Sequence, residues 1–478
     1  MTNLRGGMPT EDVLGALRAM QAADLPAHGG RTLAYVYDSG LADADAVGLE
    51  ALVMFASSNA LDPTAFPSLQ VMENDLVALA GGLVHAPPGY AGSVTSGGTE
   101  SIILAVLAAR EGAGRDHPTL VMPSSAHAAF RKAGKYLGVR PVVVDVDPVS
   151  LRADPRAMAE AVDDSTVLVV ASAPSYAHGV VDPVGEIAGM AAERGIRCHV
   201  DACIGGWVLP HLEGVPPWDF AVDGVTSLSV DLHKYAYTPK GVSVVLHRSA
   251  ALRRGHFFAS ADWPGYTMLN TTMQSTRSGG PLASAWAVTR HIGLDGYAAL
   301  AVRARQATLT LAEAAAGIPG LRVVADPDST LLALATDGSC DVFTVADEML
   351  GLGWYVQPQL SFRHLPPTLH LTLSAATAPS VPELVVALGG AVAAAQEAGP
   401  VAVDPALTGL LGSLDPATLD DEGFAGLLVA AGLAGSDGNL SLPTRMAPVN
   451  ALLDRCPPAL REALLLAVLD RLSRPSPP

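Results

Sequence analysis

Apolar runs recur through the middle of the chain. TLVM (119–122), PVVVDV (141–146), VLVVAS (167–172), CHVDA (198–202), TSLSVDL (226–232) and VSVVL (242–246) are short and rich in β-branched residues. Apolar residues at consecutive positions mark strands buried on both faces. Helical patterns lie between the early runs, near 99–111, 127–137, 155–162 and 184–194. Strands alternating with helices predict an α/β unit, a mostly parallel sheet covered on both sides. Ligands of such sheets sit at strand ends and helix N-termini.

Beyond about 297 the pattern changes. A long Ala-rich helix (298–316) leads to LRVVA (321–325) and LLALAT (331–336), then a helix near 341–351, a strand TLHLTLS (368–374) and a helix near 382–397. This reads as a smaller α+β unit. Residues 401–478 read as helices broken by Gly and Pro, closing on an amphipathic helix at 459–472. The expected division is an N-terminal helical segment (1–60), a large domain (61–297), a small α+β domain (298–400) and a helical C-terminal extension (401–478).

Composition narrows the function classes. Of 478 residues, 49% are hydrophobic and 16% charged, so a large core is expected and global disorder excluded. The net charge of −18 repels phosphate backbones and anionic lipid, so neither nucleic acid nor a membrane is expected as a partner. Cys198, Cys203, Cys340 and Cys456 show no CxxC and no regular spacing, which argues against a disulfide framework or a metal cluster and for a reducing cytoplasm. The apolar stretch Leu384–Ala395 lies between Glu383 and Gln396 and is too short to span a bilayer. The N-terminus MTNLRGGMPTED lacks the apolar centre of a secretory signal. Only four basic residues are lysines: Lys132, Lys135, Lys234 and Lys240. Arginine replaces lysine on a solvated surface but not where an amine must lose its proton.

Four motifs carry candidate chemistry. Ser96-Gly97-Gly98-Thr99-Glu100-Ser101 opens an apolar helix, whose free N–H groups favour an anion such as phosphate; alone it is also an ordinary helix start. Asp201, in HVDACIGG, ends a buried strand, where a carboxylate needs a cationic partner or caps the next turn. Asp231-Leu232-His233-Lys234 ends another; burial there depresses an amine's pKa and makes it nucleophilic, unless the lysine reaches the rim. Ser124-Ser125-Ala126-His127 precedes AAFRKAGKYLG and offers an imidazole that can stack on a flat ring or cap the helix. Together they match the needs of pyridoxal 5'-phosphate: an anion site, a stacking ring, an amine for the imine, and a carboxylate to keep the pyridine nitrogen protonated.

The segments VTSGGTESI (94–102), HAAFRKAGKYLG (127–138), SAPSYAHGVVDP (172–183), HVDACIGG (199–206), GVTSLSVDLHKYAYTPKG (224–241), ADWPGY (261–266) and STRSGG (275–280) resemble the group II pyridoxal-dependent decarboxylase superfamily, and within it the sphingosine-1-phosphate lyases. The resemblance implies a fold-type I architecture and a role for each matching residue. Lys234 is then the lysine that carries the cofactor, Asp201 the partner of the pyridine nitrogen, His127 the stacking histidine, and Cys203 the residue against the opposite ring face. Gly98, Thr99 and His233 would contact the phosphate, Gly279 and Gly280 would reach it from a neighbouring subunit of a homodimer, and Lys240 would line the substrate side. The lyases' Asn-Pro-Leu-His-Pro segment, whose His helps bind the substrate phosphate, here reads Asn59-Ala60-Leu61-Asp62-Pro63; Asp62 should repel a phosphate. The assisting Tyr aligns near Tyr35 or Tyr37.

The expected function is a pyridoxal-phosphate-dependent carbon–carbon lyase acting at the Cα of an amine or amino acid, by retro-aldol cleavage of an altered substrate. An amino-acid decarboxylase is the alternative. A regulator without turnover and an aminotransferase rank below both.

Overall fold

The sheet expected from the buried runs is present in the computed structural model, which describes residues 6–435, 440 and 443–474. Residues 1–5, where the N-terminus was read for a secretory signal, and 436–439, 441–442 and 475–478 of the C-terminal extension lie outside the described residues.

In chain order the elements begin with α1 (Thr10–Gln21), α2 (Ala42–Phe55) and α3 (Pro67–Leu83). The large unit follows: β1 (Ala91–Thr95), α4 (Gly98–Ala113), β2 (Thr119–Pro123), α5 (Ala129–Leu137), β3 (Arg140–Val144), α6 (Pro155–Ala161), β4 (Thr166–Ser172), α7 (Val184–Glu193), β5 (Arg197–Asp201), β6 (Val225–Asp231), β7 (Ser243–His247) and α8 (Ala250–Arg253). A ribbon, β8 (Phe258–Ser260) and β9 (Met268–Asn270), precedes α9 (Gly279–Ala316). Then come β10 (Leu321–Val323), β11 (Leu331–Thr336), α10 (Val342–Gly351), β12 (Gln357–Gln359), β13 (Thr368–Thr372) and α11 (Val381–Ala398). Four helices close the chain: α12 (Pro405–Ser413), α13 (Asp421–Ala430), α14 (Ala447–Arg455) and α15 (Pro458–Leu472).

The large sheet has the order β1-β7-β6-β5-β4-β2-β3. β3, β2, β4, β5 and β6 are mutually parallel, and β7 runs antiparallel to both β6 and β1. Strand β1 was not expected, because AGSVT carries turn-type residues; yet Ser93 and Thr95 are buried. One apolar cluster gathers Val94, Val169, Val200, Leu228, Val230 and Val244, and a second places Leu120, Met122, Leu168 and Val170 against Ile102, Val106 and Phe130. Helices thus cover both faces, as consecutive apolar residues require.

The small sheet, β10-β11-β13-β12, is antiparallel throughout. β12 is an edge strand, QPQ, polar and containing proline, which hides it from pattern reading. An isolated bridge near the N-terminus, Thr32 with Tyr355, joins this unit: Leu33 N–H donates to Tyr355 O, and Thr372 N–H to Leu33 O.

Two expectations on helices need correction. The helix expected from 298 begins at Gly279 and breaks at Gly293, whose φ of 68° no α-helix accommodates; Leu282 to Ala304 on either side of the break pack in the large unit's core, and Ala307 to Ala315 in the small one's. The apolar run 384–395 is only part of a helical stretch, Ala378–Ala398, of 21 residues and mean hydropathy 1.5, because Glu383 and Gln396 lie inside the helix. That stretch is long and apolar enough to cross a bilayer by composition; here Leu384, Leu388, Ala391, Val392 and Ala395 pack into the small unit's core.

Candidate active site

The carboxyl ends of β2, β4, β5 and β6 and the start of α4 converge on one cleft of about 410 Å³. Its lining includes Ser96–Thr99, His127, Ser172, Tyr176, Asp201, Cys203, Asp231, His233 and Lys234. Six of the residues singled out for cofactor binding, Gly98, Thr99, His127, Asp201, Cys203 and His233, thus meet Lys234 in one place.

The start of α4 forms the polar wall. Gly97 is its N-cap and supplies no side-chain cap, so the first N–H groups point outward without intrahelical partners. Glu100, three residues on, holds the loop shape: Oε2 accepts from Ser96 N–H (2.6 Å) and Ser96 Oγ (2.8 Å), while Oε1 accepts from Met273 N–H (2.8 Å). Gly98 lies against the floor. A Cβ there would come within 2.6 Å of Cys203 Sγ and 2.8 Å of Asp231 Oδ2.

The ends of β5 and β6 supply the charges. Asp201 Oδ1 accepts from Cys203 N–H (3.1 Å) and Ser229 Oγ (3.3 Å). Lys234 Nζ lies 3.0 Å from Asp231 Oδ2, and His233 Nε2 lies 3.5 Å from the same oxygen. Asp231 is 1% exposed, and its Oδ1 has no partner among the described residues. Burial by itself pulls the Lys234 pKa down, but Asp231, with Tyr37, Cys203 and Asp201 behind it, lifts it well above the ordinary lysine range. The expectation of a depressed lysine is therefore corrected: the counter-charge outweighs desolvation. Burial likewise opposes ionisation of Asp231, and Lys234 and His233 outweigh it, holding the carboxyl below its usual range.

Lys240 is the amine that is depressed. Desolvation, then repulsion by Lys234, brings it to about 8. Its Nζ donates to His233 O (3.0 Å) and lies 4.9 Å from the centre of the Tyr37 ring. Burial raises the Tyr37 phenol to about 12, the Lys234 charge pulling the other way.

His127 is exposed in the turn before α5; its Nδ1 accepts from Ala129 N–H (3.2 Å), leaving the ring at the cleft. Lys132 and Lys135 belong to the solvated face of α5, whose inner face is Ala129, Phe130, Ala133 and Gly134.

Three candidates lie elsewhere in the chain. Asp62 is in an exposed turn where Oδ1 accepts from Thr64 N–H (2.8 Å) and Thr64 Oγ1 (2.6 Å). Gly279 and Gly280 start α9 packed against α2, with Leu52, Phe55 and Ser58 around them. Asp231 and Tyr176 are cleft residues to which the sequence reading gave no role. Asp231 ends β6 three residues before Lys234, a spacing that could have flagged it; Tyr176 carries no comparable signal.

The donor set suits pyridoxal 5'-phosphate. Uncapped N–H groups are open to an anion, Gly98 gives the backbone clearance a Cβ would fill, an amine is paired with one carboxylate in a cleft that a second also lines, and one buried carboxylate oxygen has no partner among the described residues. The sheet order and this cleft define the fold-type I class of pyridoxal-phosphate proteins.

Comparison with known proteins narrows the class. Residues 34–333 match the model described as "Pyridoxal-dependent decarboxylase conserved domain", and 405–471 the "Pyridoxal-dependent enzyme, C-terminal putative HTH domain". The chain belongs to the pyridoxal-dependent decarboxylase family, and its cofactor is pyridoxal 5'-phosphate. It is 39% identical to the sphingosine-1-phosphate lyase of Dictyostelium discoideum over 68% of its own length, spanning 62% of that protein's length. The solved sphingosine-1-phosphate lyase of Burkholderia pseudomallei superposes with a TM-score of 0.77 at 35% identity, over 82% of this chain and 92% of that one. A probable L-tyrosine/L-aspartate decarboxylase of Methanothrix thermoacetophila is 35% identical over 65% of this chain and 79% of that protein.

Proposed function

We propose that the protein is a pyridoxal-phosphate-dependent carbon–carbon lyase that cleaves beside the amine-bearing carbon of a small amine or amino acid by a retro-aldol reaction, with a substrate other than a phosphorylated sphingoid base. The observation that carries this reading is the meeting of Lys234, Asp231 and Asp201 beside the uncapped start of α4. When bound, the cofactor supplies an electron sink for the bond broken at the substrate carbon.

In this reading the chain's own groups divide the work. Gly98, Thr99 and His233 hold the phosphate end. His127 covers one ring face and Cys203 the other, which fixes the plane against which the breaking bond is aligned. Asp201 keeps a proton on the ring nitrogen through a charge-assisted hydrogen bond. Lys234 would hold the cofactor and is the amine placed to return a proton to the substrate carbon. Asp231 is its counter-ion, and Lys240 and Tyr37 face the substrate. Gly279 and Gly280 complete the site of a neighbouring subunit, so the active form is a homodimer. All four cysteines are free and buried, in keeping with a cytoplasmic protein.

The altered substrate rests on Asp62, which lies away from this chain's own cleft and would act at the neighbouring subunit's in the proposed homodimer. Its carboxyl is held below the usual range by the Thr64 hydroxyl and N–H, so it carries negative charge where the lyases carry a histidine. The same charge favours an amino-bearing substrate and, with the likeness to the Methanothrix protein, keeps amino-acid decarboxylation as the second reading.

The test is borohydride reduction of the holoprotein followed by digestion and mass spectrometry, with product analysis on a panel of amines and amino acids. A cofactor adduct on Lys234 with released aldehyde supports the lyase, and released carbon dioxide the decarboxylase. An adduct elsewhere, or normal turnover by Lys234→Ala, overturns both.

A further inference from the structure

Asp201 is tied to a buried chain of side chains behind the cleft. Its Oδ1 is 3.3 Å from Ser229 Oγ; Ser229 Oγ is 3.2 Å from His199 Nε2; His199 Nδ1 is 2.9 Å from Ser227 Oγ. Cys203 Sγ also reaches Ser229 Oγ, at 3.3 Å. His199 and Ser229 are 0% exposed and Ser227 is 4% exposed, so no solvent competes. The residues share one sheet face because positions 199 and 201 of β5, and 227 and 229 of β6, are two apart.

The donor inventory gives this chain one direction. An ionised carboxylate only accepts, so the single Ser229 proton goes to Asp201. Ser229 must then accept from His199, which places the imidazole proton on Nε2. The other ring nitrogen accepts from Ser227. Burial pulls the His199 pKa down to about 4, so the ring stays neutral with one proton to give. The opposite tautomer would turn the Ser229 hydroxyl away from Asp201. Oδ2 of Asp201 makes no hydrogen bond among the described residues, so one oxygen is anchored and the other is left for the cleft.

We propose that His199 and Ser229 are positioning residues: through a one-way chain of hydrogen bonds they fix which oxygen of Asp201 faces the cofactor and hold it in place as the acceptor toward the ring nitrogen. This rests on the reading of Asp201 as that nitrogen's partner. Because His199 is neutral, the two residues orient Asp201 without placing a second formal charge in the core.

The experiment uses holoprotein reconstituted with pyridoxal phosphate labelled with nitrogen-15 in the ring. The ring-nitrogen chemical shift and the cofactor dissociation constant are measured at neutral pH. Ser229→Ala and His199→Phe should each move the resonance toward that of neutral pyridine and weaken cofactor binding about tenfold, the size of one hydrogen bond to a charged group. His199→Gln, which keeps a donor toward Ser229, should restore much of the wild-type shift. The double variant should be no worse than Ser229→Ala, because both act through one link. A wild-type resonance in Ser229→Ala while Asp201→Asn shifts it overturns the relay and leaves the Asp201 reading standing. An unmoved resonance in Asp201→Asn overturns that reading, and the relay with it. If His199→Phe does not fold, Ser229→Ala decides alone.

Discussion

Lys234 Nζ and Asp231 Oδ2 are 3.0 Å apart, the carboxylate buried and the amine at the cleft, so the amine is held protonated. Only the neutral amine attacks an aldehyde carbon. Asp231→Asn removes the counter-charge, lets burial lower the amine's pKa, and should therefore speed covalent capture of pyridoxal phosphate on the acid side of the profile. Stopped-flow absorbance across pH 6–10 (about one decade per unit where the amine limits the rate) checks this; an unchanged profile would show that Asp231 does not govern the amine. Lys240 offers a second titration. Its pKa lies near 8, so its charge is present below that pH and lost above it. If Lys240 faces an anionic part of the substrate, KM should rise as pH passes through about 8, and Lys240→Met should raise KM roughly tenfold at neutral pH and abolish that rise. A Lys240→Met profile matching the wild type removes Lys240 from substrate binding.

At the scale of elements, the entrance of α4 is built for close approach. Its helix packs Ile102, Ile103, Leu104, Ala105 and Val106 into the core, so its N-terminus cannot drift from the strand ends. Glu100 ties the preceding Ser96 loop to Met273 near the ribbon. Gly98→Ala would drive a methyl into Cys203 Sγ and the Asp231 carboxylate, at 2.6 and 2.8 Å. The expected result is at least tenfold weaker cofactor binding, read by equilibrium titration, alongside a cost in stability of about 1–3 kcal/mol from overpacking, read by thermal unfolding. Wild-type affinity in this variant would mean that the helix start is not the phosphate site.

At the scale of the molecule, α2, α3 and the first stretch of α9 leave an apolar groove of about 620 Å³ lined by Val47, Ala51, Met54, Val71, Ala283 and Trp286. Val53 and Met54 are 73% and 69% exposed on the adjoining helix surface. Apolar surface gathered in this way marks a protein interface. It adjoins Gly279 and Gly280, which pack on α2. The proposed homodimer uses this face. Val53→Glu with Met54→Glu should convert the dimer to monomer in sedimentation analysis and remove turnover while leaving the fold's circular dichroism intact. An active monomer would show that each chain completes its own site.

Most of the large sheet was readable because β2, β4, β5 and β6 are buried and write themselves as unbroken apolar runs; β3 carries such a run too, although it is an edge strand and only part-buried. β1 and β12 were not, since AGSVT and QPQ take strand geometry from their neighbours rather than from their own side chains. The kink at Gly293 was hidden for a related reason: a Gly permits a break at φ 68° without the flanking sequence marking one. The cofactor motifs were legible because each lies within a few residues at a strand end or helix start. What only the tertiary structure decided is how they act on one another. Burial and charge compete at Lys234, and the outcome turned on a distance to Asp231 that no spacing specifies; the link from His199 through Ser229 to Asp201 exists because two strands happen to lie in register. The chain alone determined which chemical groups are present and on which elements they ride, through local periodicity and composition. Their protonation, direction and pairing belong to the fold, because electrostatic energy depends on separation and burial in space, and those are set by residues far apart in the chain.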